Sequence, residues 1–254
     1  MARIVHYVLR DILRSRFVLA YAAFLLAASF GLFHLGGEIS KGLVGLLSLV
    51  LLVVPLVCLV FGTIHFYNSY DFIELLAAQP IKRRSILLGQ YLGVAGALVA
   101  ALGGVALPVV LYAATPTGFI LLGVGFALTV LFTAIAFLGA VATRDKARGV
   151  GLALLVWFYF ALLHNGIMLL VMLFFEDYPL EKPTMAMIAL NPIDLGRVIV
   201  LLHMDVSAMM GYTGALMKDM LGTAAGISSA AGILVLWAVL PVMLSLRIFR
   251  RKDL

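Results

Sequence analysis

Apolar residues run almost unbroken through six stretches of the chain, about Phe17 to Leu35, Leu43 to Phe66, Ile86 to Ala113, Phe119 to Ala142, Val150 to Phe175 and Thr223 to Leu246. Each is close to or above the roughly 20 residues a helix needs to cross the hydrocarbon of a bilayer. The runs are continuous rather than alternating, which favours helices over a barrel, because lipid cannot satisfy an open backbone. The pattern predicts an all-α, polytopic membrane protein: one transmembrane domain over residues 1–254 with six spans.

Ahead of the first span, Ile4, Val5, Val8, Leu9, Ile12 and Leu13 recur at helical intervals while Arg3, Arg10, Asp11 and Arg14 take other faces. Residues 2–16 therefore read as a helix lying in the membrane interface. The apolar run that follows exceeds a signal-peptide core, so an uncleaved segment is expected.

Two connections are longer than a turn. In 67–85, Asp71 to Ala78 reads as a short helix with Phe72, Leu75 and Leu76 on one face. Gln79-Pro80 stops it, because proline disfavours helix in the residue before it. In 176–222, Asn191-Pro192-Ile193-Asp194 is a helix start, with Asn as cap, Pro at the first helical position and Asp near the positive end of the dipole. That helix is expected to run through Arg197 to about Leu202. A second would restart at His203-Met204-Asp205 and break at Gly211 to Gly214, the two forming an external cap.

Composition narrows the class. At 64% hydrophobic and 12% charged, with a mean hydropathy of +1.16, no soluble domain is expected. Fourteen of the 18 basic residues fall in 3–16, 82–84, 144–148 and 247–252. The positive-inside rule then puts both termini in the cytoplasm. The net charge of +6 follows from topology and contact with anionic lipid, with no call for nucleic acid. Cys58 is the only cysteine, which excludes an intrachain disulfide and any cysteine-based metal motif.

Glu74-Leu75-Leu76, Gln79-Pro80-Ile81, Arg83-Arg84 and Gly89-Gln90-Tyr91-Leu92-Gly93 together resemble the coupling segment of type-2 ABC transporter permeases. The resemblance implies that Asp71, Glu74, Leu75, Gln79, Pro80, Arg83 and Arg84 meet a cytoplasmic ATPase. Arg144 and Lys146, in the loop from Thr143 to Gly149, are either a second contact or a positive-inside anchor. No Gly-rich loop ending in Gly-Lys-Ser or Gly-Lys-Thr is present, so ATP and Mg would be bound by a separate subunit. A homodimer in the bacterial inner membrane is implied as well. Gly89, Gly93, Ala97 and Ala101 form a small-residue stripe suited to close helix approach, chiefly within the subunit.

The run from Leu190 to Arg197, with Asp205 to Ala215 downstream, resembles the external segment of NosY-type permeases, the membrane subunits of a copper-processing ABC transporter that matures nitrous-oxide reductase. That likeness implies a NosF-like ATPase, a periplasmic NosD-like β-helix protein and a NosL-like copper-chaperone lipoprotein. Asn191, Asp194, Arg197, Asp205 and Tyr212 are the expected contacts to the periplasmic partner.

Seven of the 11 methionines lie between Met185 and Met220. Thioether sulfur suits Cu(I), which makes Met204, Met209, Met210 and His203 candidate ligands. Methionine is also an adaptable apolar filler, and packing or partner contact is the reading preferred. His164 and Asn165 sit near the middle of the fifth span, where polar groups face the bundle interior. A helix-to-helix hydrogen bond is expected of them, with a path or moving interface as the alternative. The function expected is conformational: ATP-driven movement passed to an external partner. The rivals are an exporter of a lipid or hydrophobic compound, and an intramembrane enzyme built on His164 with Asp194 or His203.

Overall fold

The computed structural model describes residues 1–143, 145–175, 181–204 and 224–251, and every regular element among them is helical. They are α1 (Ala2–Leu13), α2 (Arg16–Gly36), α3 (Ile39–Asn68), α4 (Tyr70–Ala77), α5 (Arg83–Ala101), α6 (Gly103–Tyr112), α7 (Pro116–Ala142), α8 (Lys146–Phe158), α9 (His164–Phe174), α10 (Glu181–Leu190), α11 (Pro192–Leu202) and α12 (Ala224–Arg251). Six helical segments are long and apolar enough to cross a membrane: α2, α3, α5 with α6, α7, α8 through α9, and Ser228–Arg251 within α12. The protein is therefore a multi-pass membrane protein.

α7 is the central helix, packed between α3 and α12 with α5 and α11 on its other sides. It buries Leu128, Leu131, Phe132 and Phe137, and its two interior hydroxyls bond backward along the helix. Thr129 Oγ1 donates to the Gly125 carbonyl at 2.8 Å and Thr133 Oγ1 to that of Thr129 at 2.7 Å. Such back-bonding lets a hydroxyl sit in an apolar interior without an outside partner. α2 and α3 form an antiparallel hairpin turned at Gly37, whose φ of +67° is the left-handed value glycine tolerates.

α1 does have the apolar face expected of it. Ile4, Val8 and Ile12 are buried against α5. Gly89 and Gly93 make the seat: a Cβ would lie 2.7 Å from Ile4 Cγ2 at Gly89, and 2.6 Å from Val8 Cγ1 at Gly93. The small-residue stripe thus serves packing within the chain.

The third span is not one straight helix, as the apolar run suggested, but α5 and α6 joined at Leu102. Pro108 in α6 lacks an amide hydrogen and crowds the carbonyl four residues back, at Gly104. Gly104 also admits the α2 backbone, since a Cβ there would meet the Ala22 carbonyl oxygen at 2.4 Å. The fifth span is peripheral and is interrupted by a π-helical turn over Tyr159–Leu163. Its inward side reduces to Gly149, Ala153, Phe160 and His164.

Candidate functional site

The sequence places a helix start at Asn191-Pro192, and α11 begins there. Asn191 is the N-cap, its Oδ1 accepting the Ile193 amide at 3.0 Å, and Pro192 occupies the first turn. The expected setting is corrected. α11 does not cap the bundle from outside but enters it, with Pro192 to Gly196 and Val198 to Val200 buried. Pro183–Leu190 and Pro192–Leu202 meet at 110°, a broken pair whose apex is Asn191. A Cβ at Gly196 would lie 2.8 Å from Val124 Cγ1 and 3.7 Å from both Leu128 and Leu51 side chains. Val124 is eight residues into α7, about 12 Å along its axis. At the other end, Thr117 Oγ1 donates to the His203 carbonyl at 2.9 Å, near the start of α7. α11 thus runs from the bundle interior back to the α7 N-terminal end, and the α10–α11 pair is re-entrant.

This descent brings Asp194 to the fifth span. Its carboxylate is buried, 4% exposed, and is surrounded by donors. Asn191 Nδ2 reaches Oδ2 at 2.6 Å, His164 Nδ1 reaches Oδ2 at 3.2 Å, and Arg197 NH1 reaches Oδ1 at 2.8 Å. With its amide nitrogen turned to the carboxylate, Asn165 lies 3.1 and 3.0 Å from the two oxygens, an orientation assigned from the network. A buried charge is tolerable only when paired and hydrogen-bonded. Arg197 supplies the opposite charge, with its own side chain 36% exposed.

Asn191 also donates from Nδ2 to the Phe160 carbonyl at 2.9 Å, inside the π turn. π turns re-aim the residues after them, and His164, the first residue beyond, is the one facing Asp194. Trp237 of α12 holds the other arm, its Nε1 donating to the Ala189 carbonyl at 3.1 Å.

These contacts revise two assignments. Asn191, 0% exposed, and Asp194 do not face a periplasmic partner, because α11, apolar along nearly its whole length, packs against α3 and α7 and carries them inward. Asp194 binds His164 and Asn165, which make the helix-to-helix hydrogen bonds expected of them, and Asn191 binds Asp194 and the Phe160 carbonyl. The enzyme reading is the one that joined His164 with Asp194. In the fold, the carboxylate is taken up by donors of this chain. Asp205, Tyr212, Met209, Met210 and the second external helix lie outside the described residues. Met204 is buried at 6% exposure, while His203 is exposed and its Nδ1 donates to the Ile199 carbonyl at 2.9 Å. Among the described residues no three His, Cys, Asp or Glu side chains are grouped to hold a metal ion.

At the basic end of the bundle, α4 forms where the sequence predicts a short helix, at Tyr70–Ala77. Its anchoring residue differs from the expected face: Ile73 is fully buried and Leu75 is 68% exposed. In an eight-residue helix apolar on most positions, the side that meets α3 and α5 decides which residue anchors. Asp71, Glu74, Leu75, Gln79, Pro80 and Arg84 are exposed together, with Arg83 half-buried beside them. Tyr7 of α1 stacks on Phe72 with ring centroids 5.5 Å apart, joining α4 to α1 as well. The second basic-end loop is tied to the same region. The Tyr67 hydroxyl bonds the Thr143 hydroxyl, and Lys146 Nζ donates to Asn68 Oδ1 at 2.8 Å. Asp145 caps α8, its Oδ1 accepting the Ala147 amide at 3.2 Å. Arg144 lies outside the described residues.

A bundle of this kind, with a helix presented at the basic end and a re-entrant pair toward the other, agrees with what sequence comparison finds. Residues 52–254 match the profile of the ABC-2 family transporter proteins. The chain belongs to that family. Along nearly its whole length this ABC-2 permease is also similar to proteins described as probable ABC transporter permease protein NosY. The one from Pseudomonas aeruginosa is 28% identical over 97% of this chain and 96% of its own. The one from Stutzerimonas stutzeri is 27% identical over 96% and 95%.

Proposed function

We propose that this ABC-2 permease passes movement, driven by a separate ATP-hydrolysing subunit, to a periplasmic partner in copper delivery for nitrous-oxide reductase maturation. The observation that carries the reading is the way the re-entrant pair is keyed into the bundle. Through Asp194 and Asn191 it is bonded to the fifth span, and through Trp237 to α12. Tilting of the spans would therefore displace the re-entrant pair with them, which suits conformational work on an outside protein.

In this reading the termini and α4 are cytoplasmic, in the inner membrane. The exposed Asp71, Glu74 and Leu75, with Gln79, Pro80, Arg83 and Arg84, receive the ATPase, which itself holds ATP with Mg. Two copies of the chain complete the transporter. Arg197, Asp205 and Tyr212 are on the side of the NosD-like β-helix partner, and a NosL-like lipoprotein supplies copper as cargo. The NosY descriptions of two relatives aligned over almost all of both chains support the copper assignment above export of a lipid.

The experiment is purification of the detergent-solubilised chain from its native host, followed by identification of what accompanies it. A nucleotide-binding subunit together with a periplasmic β-helix protein is the expected result. An ATPase alone, with ATP-dependent movement of a lipid in proteoliposomes, would replace this reading with the exporter.

A further inference from the structure

One cavity takes no part in either of these sites. Between α3, α7 and α8, toward the basic end, lies an apolar groove of about 200 Å³ lined by Leu59, Ala136, Gly139, Ala142, Gly149 and Ala153 among others. Small side chains of α7 and α8 make it concave. Gly139 keeps the floor open, and a Cβ there would already touch Leu152 Cδ2 at 3.5 Å. Its volume is below the roughly 300–1,000 Å³ of pockets that enclose whole small molecules. A groove of this size takes one flexible apolar tail, and the rest of its occupant must lie outside.

The basic-end rim says what that rest is. Tyr67, bonded to Thr143, packs on Gly149, where a Cβ would meet the Tyr67 ring at 2.6 Å. Lys146 and Arg148, in the first turn of α8 and within three residues of Gly149, are both exposed. Lys146 is held in place by Asn68, a neutral partner, and among the described residues it makes no ion pair. Asp145, the carboxylate next to Lys146, is directed to the Ala147 amide of its own helix. An apolar slot for a chain, with two exposed cations in the first turn of a helix that lines it, has the layout of a single amphiphile carrying an anionic head.

We propose that this groove is a binding site for one anionic phospholipid, its acyl chain between α3, α7 and α8 and its phosphate at Lys146 and Arg148. A bound lipid there would brace the peripheral fifth span, which contributes few other buried residues.

The test uses native mass spectrometry on the full-length chain in detergent, titrated with phosphatidylglycerol or with phosphatidylcholine of the same tails. The expected result is one retained phosphatidylglycerol at roughly tenfold tighter binding than phosphatidylcholine. Ala142→Phe, at an exposed rim position, should block both lipids by filling the mouth. Arg148→Gln, also on the surface, should lower phosphatidylglycerol retention to the phosphatidylcholine level. Unchanged melting of both variants would keep the comparison clean, and Gly139→Leu provides a second block from within if Ala142→Phe melts early. Equal retention of the two lipids by the unmodified chain would overturn the proposal, as would unchanged lipid retention in both groove-filling variants. A shift of the dimer-to-monomer ratio in Ala142→Phe, with lipid retention unaltered, would overturn it too and assign the groove to a second copy of the chain.

Discussion

His164 and Asp194 stand 30 residues apart in sequence and 3.2 Å apart in the fold, Nδ1 against Oδ2. One belongs to a membrane span and the other to a helix that dips into the bundle from the connection after it. Ionisable groups at such positions are costly and need named partners. Here each partner is supplied by the same chain, so the contact, with the Asn191 bond to the Phe160 carbonyl, acts as a fastening between the two elements.

That fastening predicts a measurable coupling. Asp194→Asn should lower stability by about 2–3 kcal/mol, because hydrogen bonds to a charged group are lost while Arg197 keeps only partial solvation. His164→Ala should cost less alone, and much less again in the Asp194→Asn background, since the two share one contact. Thermal melting of the purified single and double variants reads this directly. Strictly additive effects would mean that the two side chains do not support each other.

Seating of α11 depends on Gly196. A methyl group there would meet Val124 Cγ1 at 2.8 Å, and a close-packed interior gives way only at a cost of about 1–3 kcal/mol. Gly196→Ala should therefore melt early. Val124→Ala removes the obstructing carbon, and the double variant should recover most of the loss. If Gly196→Ala melts like the parent, α11 does not lie against α7 as described.

The spans were legible because a run of some 20 apolar residues has one solution in a bilayer, and the capping signal at Asn191-Pro192 located the start of α11 to the residue. Its depth was not legible. Eleven residues are too few to cross a membrane, so Pro192–Leu202 reads as a surface element on length alone. The clue was present in the near absence of polar residues: between Ile193 and Leu202 only Asp194 and Arg197 interrupt an apolar sequence, and Gly196 sits between them. A lone acid in such a helix needs an interior donor, and His164 was the histidine in mid-span. The π turn before His164 left no sequence signal, because it arises from a shifted hydrogen-bond register and not from a residue type. Likewise Ile73 and Leu75 are chemically equivalent in a short apolar helix, and only packing against α3 and α5 separates the anchor from the exposed side chain.

Exposure of Leu75 beside Glu74 gives the ATPase-facing reading a sharp test. An exposed leucine on a helix held by Ile73 is suited to a pocket on a partner, so Leu75→Glu should weaken ATPase binding about tenfold, near 1.4 kcal/mol. Glu74→Arg should act in the same direction through charge reversal. Because both side chains are exposed, membrane insertion and melting should stay as in the parent. ATPase stimulation in reconstituted complexes is the readout, and normal stimulation in both variants would move the contact elsewhere.

Copper gives the last prediction. Cu(I) favours thioether sulfur and imidazole, and the chain gathers seven methionines and His203 between Met185 and Met220. Of the described members, Met204 is buried at 6% exposure and Met185 packs on the apolar core, which is the use an unbranched, adaptable side chain commonly serves. His203 spends Nδ1 on the Ile199 carbonyl and keeps only Nε2 for a metal. The purified chain should therefore hold no stoichiometric Cu(I), and the metal should travel with its periplasmic partner. Competition against a Cu(I) chelator measures this. Tight one-to-one binding by the chain alone, abolished in His203→Ala or Met209→Ala, would make it a copper-binding subunit in its own right.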